Sequence, residues 1–211
     1  MRRGQSVTDK IQITSKMIDT NTILFQFSAI LILVFFYAIY LGKMTAQKQK
    51  GIRTDQIARG NKPKALAGTE LIMKLATYSI IIVEVASIYL NTETPLFSLR
   101  IAGAILGITG VILFGTAVYT MRDSWRAGIP EKDKTELITT GIFRISRNPA
   151  FLAFDLVYMG ILLMFFNPVL LFFTAWAIVM LHLQIKQEEK FLLATFGEEY
   201  AKYKKRTRRY I

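Results

Sequence analysis

Apolar residues in this chain are gathered into long runs separated by strongly basic connectors. Ile23 to Leu41 carries no charge over 19 residues, Ile101 to Met121 none over 21, and Leu75 to Leu90 only Glu84. At about 1.5 Å per residue each run covers a hydrocarbon core about 30 Å thick, so each is predicted to be a membrane-spanning helix. The block Ala150 to Ile185 has 36 residues, too many for one crossing and slightly few for two. Asn167-Pro168 stands at its middle, where proline removes a backbone donor and breaks a helix. The pattern predicts an all-α, polytopic membrane bundle of about five transmembrane helices. The last two form a tight hairpin, and a cytoplasmic helix follows them.

Charge orients the bundle. The chain holds 27 Lys+Arg against 15 Asp+Glu, and the 42–70 loop, the 121–149 loop and the segment from 184 onward carry 7, 6 and 8 of the basic residues. Basic loops stay in the cytoplasm, which places these three inside and the N-terminus outside. The four basic residues in the tail before Ile23 leave a second arrangement open, in which the tail lies along the inner surface under a re-entrant first span. The first apolar run begins after about 22 polar residues and is long enough to remain as an anchor, so no cleaved signal peptide is expected. The basic loops are expected to meet anionic lipid headgroups. Nucleic acid is not an expected partner, because no basic module with interleaved aromatics is present.

Composition removes several chemistries. Cysteine is absent, which excludes disulfides, thiolate metal sites and a cysteine nucleophile, and His182 is the single histidine. No metal site is expected. Gly103, Gly107 and Gly110, at spacings of four and three within the third run, predict close helix packing. Two regions follow: residues 1–121 with three spans and a basic loop, and residues 122–211 with the hairpin and most of the candidate chemistry.

In that second region Ser146-Arg147-Asn148-Pro149 opens the fourth helix, with Asn148 placed to cap it and Pro149 at its first position. Free N–H groups there, with Arg144 and Arg147 nearby, suit an anionic group. The alternative is that Asn148 only caps and the arginines only anchor. Past the hairpin, Glu188, Leu192, Phe196 and Tyr200 recur every four residues, so a helix leaving the membrane aligns a carboxylate and three large side chains on one face. A solvated interfacial helix gives the same periodicity.

Taken in order, the stretches SWRAGI, ELITTGIFRISRNPAF, the Glu188-Glu189 pair and FGEEYAKY resemble the integral-membrane methyltransferases that include isoprenylcysteine carboxyl methyltransferase and the phospholipid N-methyltransferases, over residues 120–206. The resemblance implies S-adenosylmethionine as methyl donor. It implies cofactor contacts from Leu137, Ile138, Phe143, Asn148, Pro149, Ala150 and Phe151, with Arg147 beside them and with Glu188 and Glu189 as the carboxylates. Glu136, Thr135 and Gly128 fall where further contacts are made in carboxyl-methylating relatives.

Three departures from the family pattern bear on the acceptor. The family histidine is Asn148, both motif tyrosines are phenylalanines, at Phe143 and Phe151, and the arginine four residues before the first glutamate is Gln184. A neutral amide does not pair with a carboxylate as a guanidinium does. Arg144 or Lys186 is then left to meet a carboxylate acceptor, and Asp155, on the helix face of Asn148 and Phe151, is placed either to take a proton from an amine or to pair with a lysine or arginine near the mouth. Arg144, Asp155 and Gln184 are therefore the candidate catalytic residues. The expected acceptor is a lipophilic small molecule or lipid; its headgroup and the oligomeric state are not fixed by the sequence. His182 is a candidate substrate contact, Trp125 and Tyr158 are expected to anchor or pack, and Glu84 is expected to pair with another helix. A membrane reductase of the sterol or enone type using NADPH, or a non-catalytic protein of the same fold, are the competing readings.

Overall fold

The computed structural model describes residues 2–90, 95–129 and 136–211, with side chains from Thr20 onward. Among the described residues there are five α-helices: α1 (Arg2–Gln49), α2 (Lys64–Leu90), α3 (Phe97–Met121), α4 (Pro149–Met164) and α5 (Pro168–Arg206). Short 3-10 turns occupy Arg122–Ser124 and Gly141–Arg144. α1, α2, α3 and α5 are long and apolar enough to cross a membrane, whereas α4 has 16 residues. At about 24 Å it stops just short of the hydrocarbon thickness. The expected bundle and hairpin are present, but the hairpin arms are unequal. α5 runs on without a break into the expected cytoplasmic helix until Gly197, whose φ of 50° and ψ of −121° leave the helical region. α1 is helical from Arg2, so the tail continues the helix of the first apolar run.

Close backbone contact joins α4 to α3. A Cβ added to Gly103 would lie 2.5 Å from the Gly160 carbonyl oxygen, one on Gly160 2.7 Å from that of Gly103, and one on Gly110 2.8 Å from that of Ala153. The α3–α4 contact is thus backbone against backbone, as the glycine spacing predicts, and gains dispersion where no side chain stands between. Gly160→Ala is expected to lower the unfolding midpoint in detergent, at a cost of about 1–3 kcal/mol. Gly68→Ala, where a Cβ meets nothing within 4 Å, serves as the silent comparison.

At the opposite end from the basic loops, polar clasps fix the helix ends. Asn167 Oδ1 accepts from the Leu170 N–H at 2.8 Å and so caps α5, while its Nδ2 donates to Ser87 Oγ at 2.9 Å. Gln26 Nε2 donates to the Ile88 carbonyl at 2.8 Å. Between the clasps and the basic end lie two apolar clusters. One holds Phe36, Phe114, Trp125, Val157 and Ile161; the other seats Tyr158 among Ile80, Ala177 and Leu181. Trp125 and Tyr158 pack as expected. Glu84 does not pair: it is fully buried, and neither carboxyl oxygen has a hydrogen-bond partner among the described residues.

Candidate active site

The basic end gathers five separate segments, beginning with a plate made by the loop after α1 and the segment after α3. Buried Gln47 donates through Nε2 to the Trp125 carbonyl at 3.0 Å and accepts the Thr54 hydroxyl at 2.6 Å. Asp55 and Ala127 form a parallel bridge, with Gln56 N–H donating to the Ala127 carbonyl at 2.8 Å. Gly128 passes this crossing at φ 85°, where a Cβ would stand 2.9 Å from the Ile57 nitrogen, so no other residue fits. Beneath it the buried carboxylate of Glu70 accepts from Lys62 Nζ at 2.7 Å, the Ala58 N–H at 2.6 Å and the Ile129 N–H at 3.1 Å. With charge and lone pairs both satisfied, this knot pins the plate to α2. Asp55, which accepts from the Ile57 N–H and pairs with Lys74 and Arg59, lies below the usual carboxylate range: burial pushes it up, but these partners outweigh that.

The second part is the α4 entrance. The 3-10 turn buries Phe143 and offers its carbonyl to the Tyr203 hydroxyl at 2.6 Å. Asn148 and Pro149 stand at the cap and first helical positions, yet the Asn148 side chain makes no cap bond. It donates instead from Nδ2 to the Arg209 carbonyl at 3.1 Å. The expected cap is therefore absent, and α4 begins with its first N–H groups without a side-chain partner, as any uncapped helix does. Ala150 and Phe151 pack half-buried onto the two apolar clusters. Leu137 and Ile138 are half-buried, whereas Glu136 and Arg144 are exposed. Thr135 lies outside the described residues.

α5 supplies the carboxylates, and their settings differ. Glu189 is buried and accepts from Arg147 Nη2 at 2.6 Å and from Arg209 Nε and Nη2 at 3.1 and 2.7 Å. This pairing ties the motif loop to α5. Arg147 is held further by the Lys204 carbonyl at 3.2 Å and by the Thr207 carbonyl. The Arg209 guanidinium is raised above its ordinary value, chiefly by its hydrogen bonds to Glu189. Glu188 is half-buried and, among the described residues, accepts only from Gln184 Nε2, at 3.1 Å on Oε1. The buried Gln184 Oε1 has no partner among the described residues.

Asp155 Oδ1 is likewise buried without a partner. Nearby, Tyr210 stacks on His182 and bonds its Nδ1 at 2.6 Å; burial, with the Asp155 charge behind it, lifts the Tyr210 phenol above its ordinary value. The face Glu188, Leu192, Phe196, Tyr200 does not run straight, because Gly197 interrupts the helix before Tyr200. Tyr200 and Tyr203 instead turn inward and are buried. Glu70, Lys62, Gln47 and Arg209 gave no signal in the sequence, since each stands in a polar or basic stretch that reads equally well as solvated.

The structure thus sets Arg147 on Glu189, Asn148 on the Arg209 carbonyl and Phe143 on Tyr203, while Gln184 and Glu188 bond each other on α5, and Arg144 and Glu136 are exposed. Residues 99–199 match the phospholipid methyltransferase family. The chain is 29% identical over 143 residues to "Protein-S-isoprenylcysteine O-methyltransferase" of Saccharomyces cerevisiae, covering 62% of this chain and 59% of that protein. It is also 29% identical over 120 residues to the protein of the same name from Dictyostelium discoideum, covering 56% of this chain and 51% of the relative. The chain thus spans little more than half the length of these relatives. The matched stretch, α3 through most of α5, is just under half of the chain and contains the motif loop and both carboxylates.

Proposed function

We propose that this protein transfers a methyl group from S-adenosylmethionine to a lipophilic acceptor held in the membrane, at a site facing the cytoplasm. The observation that carries the reading is the Arg147–Glu189 contact at 2.6 Å, which sets the motif before α4 against the carboxylate pair of α5. Within the stretch that resembles the family, two buried polar atoms have no partner among the described residues, Gln184 Oε1 and Asp155 Oδ1. Glu188, with a single bond from Gln184, keeps accepting capacity in reserve. These groups fit the donor. Glu188 suits its hydroxyls or ammonium, the uncapped start of α4 suits its carboxylate, and Leu137, Ile138, Phe143 and Phe151 suit its apolar surface. Glu189, saturated by two arginines, holds the frame.

S-Adenosylmethionine supplies an electrophilic methyl group on a sulfonium. The chain's own work is then mainly positioning, and holding two reactants in line is worth about 7–11 kcal/mol. Gln184 orients Glu188. Phe143 and Phe151 exclude water, which strengthens the remaining electrostatic interactions. Asp155, buried one helical turn inside Phe151, takes a proton if the acceptor is an amine, while exposed Arg144 pairs with the acceptor if it is a carboxylate. The high basic content of the loops at this end supports a cytoplasmic site.

Isothermal titration of the protein in detergent with S-adenosylhomocysteine and with NADPH tests the reading. Binding of the homocysteine product is expected, with none of the nucleotide. The reverse result would replace methyl transfer with a reductase.

A further inference from the structure

The segment after α5 lies beyond the 99–199 stretch that matches the family, yet residues 207–209 are bound to the motif. Ser146 and Arg208 form a parallel bridge, and the Arg147 N–H donates to the Arg208 carbonyl at 2.9 Å. The Arg209 carbonyl accepts twice, from Ser146 Oγ at 3.3 Å and from Asn148 Nδ2 at 3.1 Å. The Arg209 guanidinium meanwhile forks onto Glu189. The carbonyl of one residue therefore reaches the motif while its side chain reaches α5.

Hydrogen-bond polarity turns this into a statement about recognition. A carbonyl only accepts, so the Asn148 amide must turn its NH2 toward Arg209, and this fixes which way its Oδ1 points. No hydrogen bond to that oxygen is made among the described residues. We propose that Arg209 is a positioning residue for the donor site: its fork on Glu189 holds its own carbonyl under Asn148, and the amide so oriented presents an acceptor to a donor group of the cofactor. The proposal rests on the methyl-donor reading above. It accounts for the side chain found where the family has histidine: Asn148 has one donor and one acceptor end, and the tail decides which end faces inward.

The structural alternative is a tail that only staples the fold. A double-mutant cycle separates the two, with dissociation constants for S-adenosylhomocysteine measured well below the unfolding midpoints. Arg209→Ala is expected to weaken binding about tenfold, the scale of one well-made hydrogen bond to a fixed group. Arg209→Lys, which keeps the charge but not the fork, should recover part of that loss and provides a folded variant if Arg209→Ala unfolds. Asn148→Ala should weaken binding by a similar factor, and adding Arg209→Ala to it should cost nothing more. Lys205→Ala, an exposed position in the last turn of α5, should bind as the unaltered protein does. Unchanged affinity in both Arg209 variants, or fully additive losses in the double variant, overturns the positioning role. Failure of the unaltered, folded protein to bind the homocysteine product would instead remove the donor site itself and this inference with it.

Discussion

Glu188→Gln is expected to weaken binding of S-adenosylhomocysteine, and to slow methyl transfer, by about 10- to 100-fold. The reason is the contrast between two adjacent carboxylates. Glu189 is consumed by Arg147 and Arg209, whereas Glu188 accepts one bond, from the neutral Gln184 on the same helix. A carboxylate that accepts one bond among the described residues keeps accepting capacity for a ligand, and a charge-assisted hydrogen bond of this kind is worth about 1.5–3 kcal/mol. The substitution keeps size and shape, so the unfolding midpoint should scarcely move. Titration and initial-rate measurements on the same preparation check both halves. A variant that binds and turns over normally would mean that Glu188 does not meet the donor.

Glu189→Ala should do the opposite and show itself first in stability. It strips the carboxylate from Arg147, whose side chain is only 7% exposed, and from Arg209 at once. Removing one partner of a buried pair leaves an uncompensated charge and costs about 3–5 kcal/mol. The expected result is a large fall in the thermal midpoint, with loss of donor binding following from disorder in the motif loop. Glu198→Ala is the comparison, because the Glu198 side chain is 93% exposed and its contact to Lys202 is 3.8 Å long, so it should be silent. A Glu189→Ala protein as stable as Glu198→Ala would show that the frame is held by packing alone.

The membrane plan was readable in the chain because a bilayer imposes a length on every span, and an uncharged run of 19 or 21 residues satisfies little else. The glycines of α3 were readable for a similar reason, since close backbone contact admits few residue types. Asparagine-proline pairs were harder. Asn167-Pro168 looks like a break and is a made cap, with Oδ1 on the Leu170 N–H. Asn148-Pro149 looks like a cap and is not one, because a carbonyl arriving from residue 209 takes its amide. Local sequence sets the backbone at both places, and only a distant segment decides where the side chain bonds.

The same holds for charge. Arg209 sits in a run of basic residues that reads as lipid-facing, and Glu70 heads an apolar helix where a solvated carboxylate would look no different. Each is identified only by its partner, 20 residues away in one case and 8 in the other. Asp155 and Glu84 were visible as ionisable residues in apolar runs. Among the described residues neither finds the pairing that such residues usually have, at Oδ1 of Asp155 and at both oxygens of Glu84.

The central claim is methylation of a membrane-held acceptor, and the most direct measurement supplies S-adenosylmethionine, labelled on its methyl group, to membranes containing the protein. The lipophilic fraction is then extracted and the labelled species identified. Label in a lipid-soluble product, present with the unaltered protein and lost with Glu188→Gln at equal protein level, is the predicted result. Label that never enters the extractable fraction above membranes lacking the protein, although the protein is folded and inserted, would contradict the account.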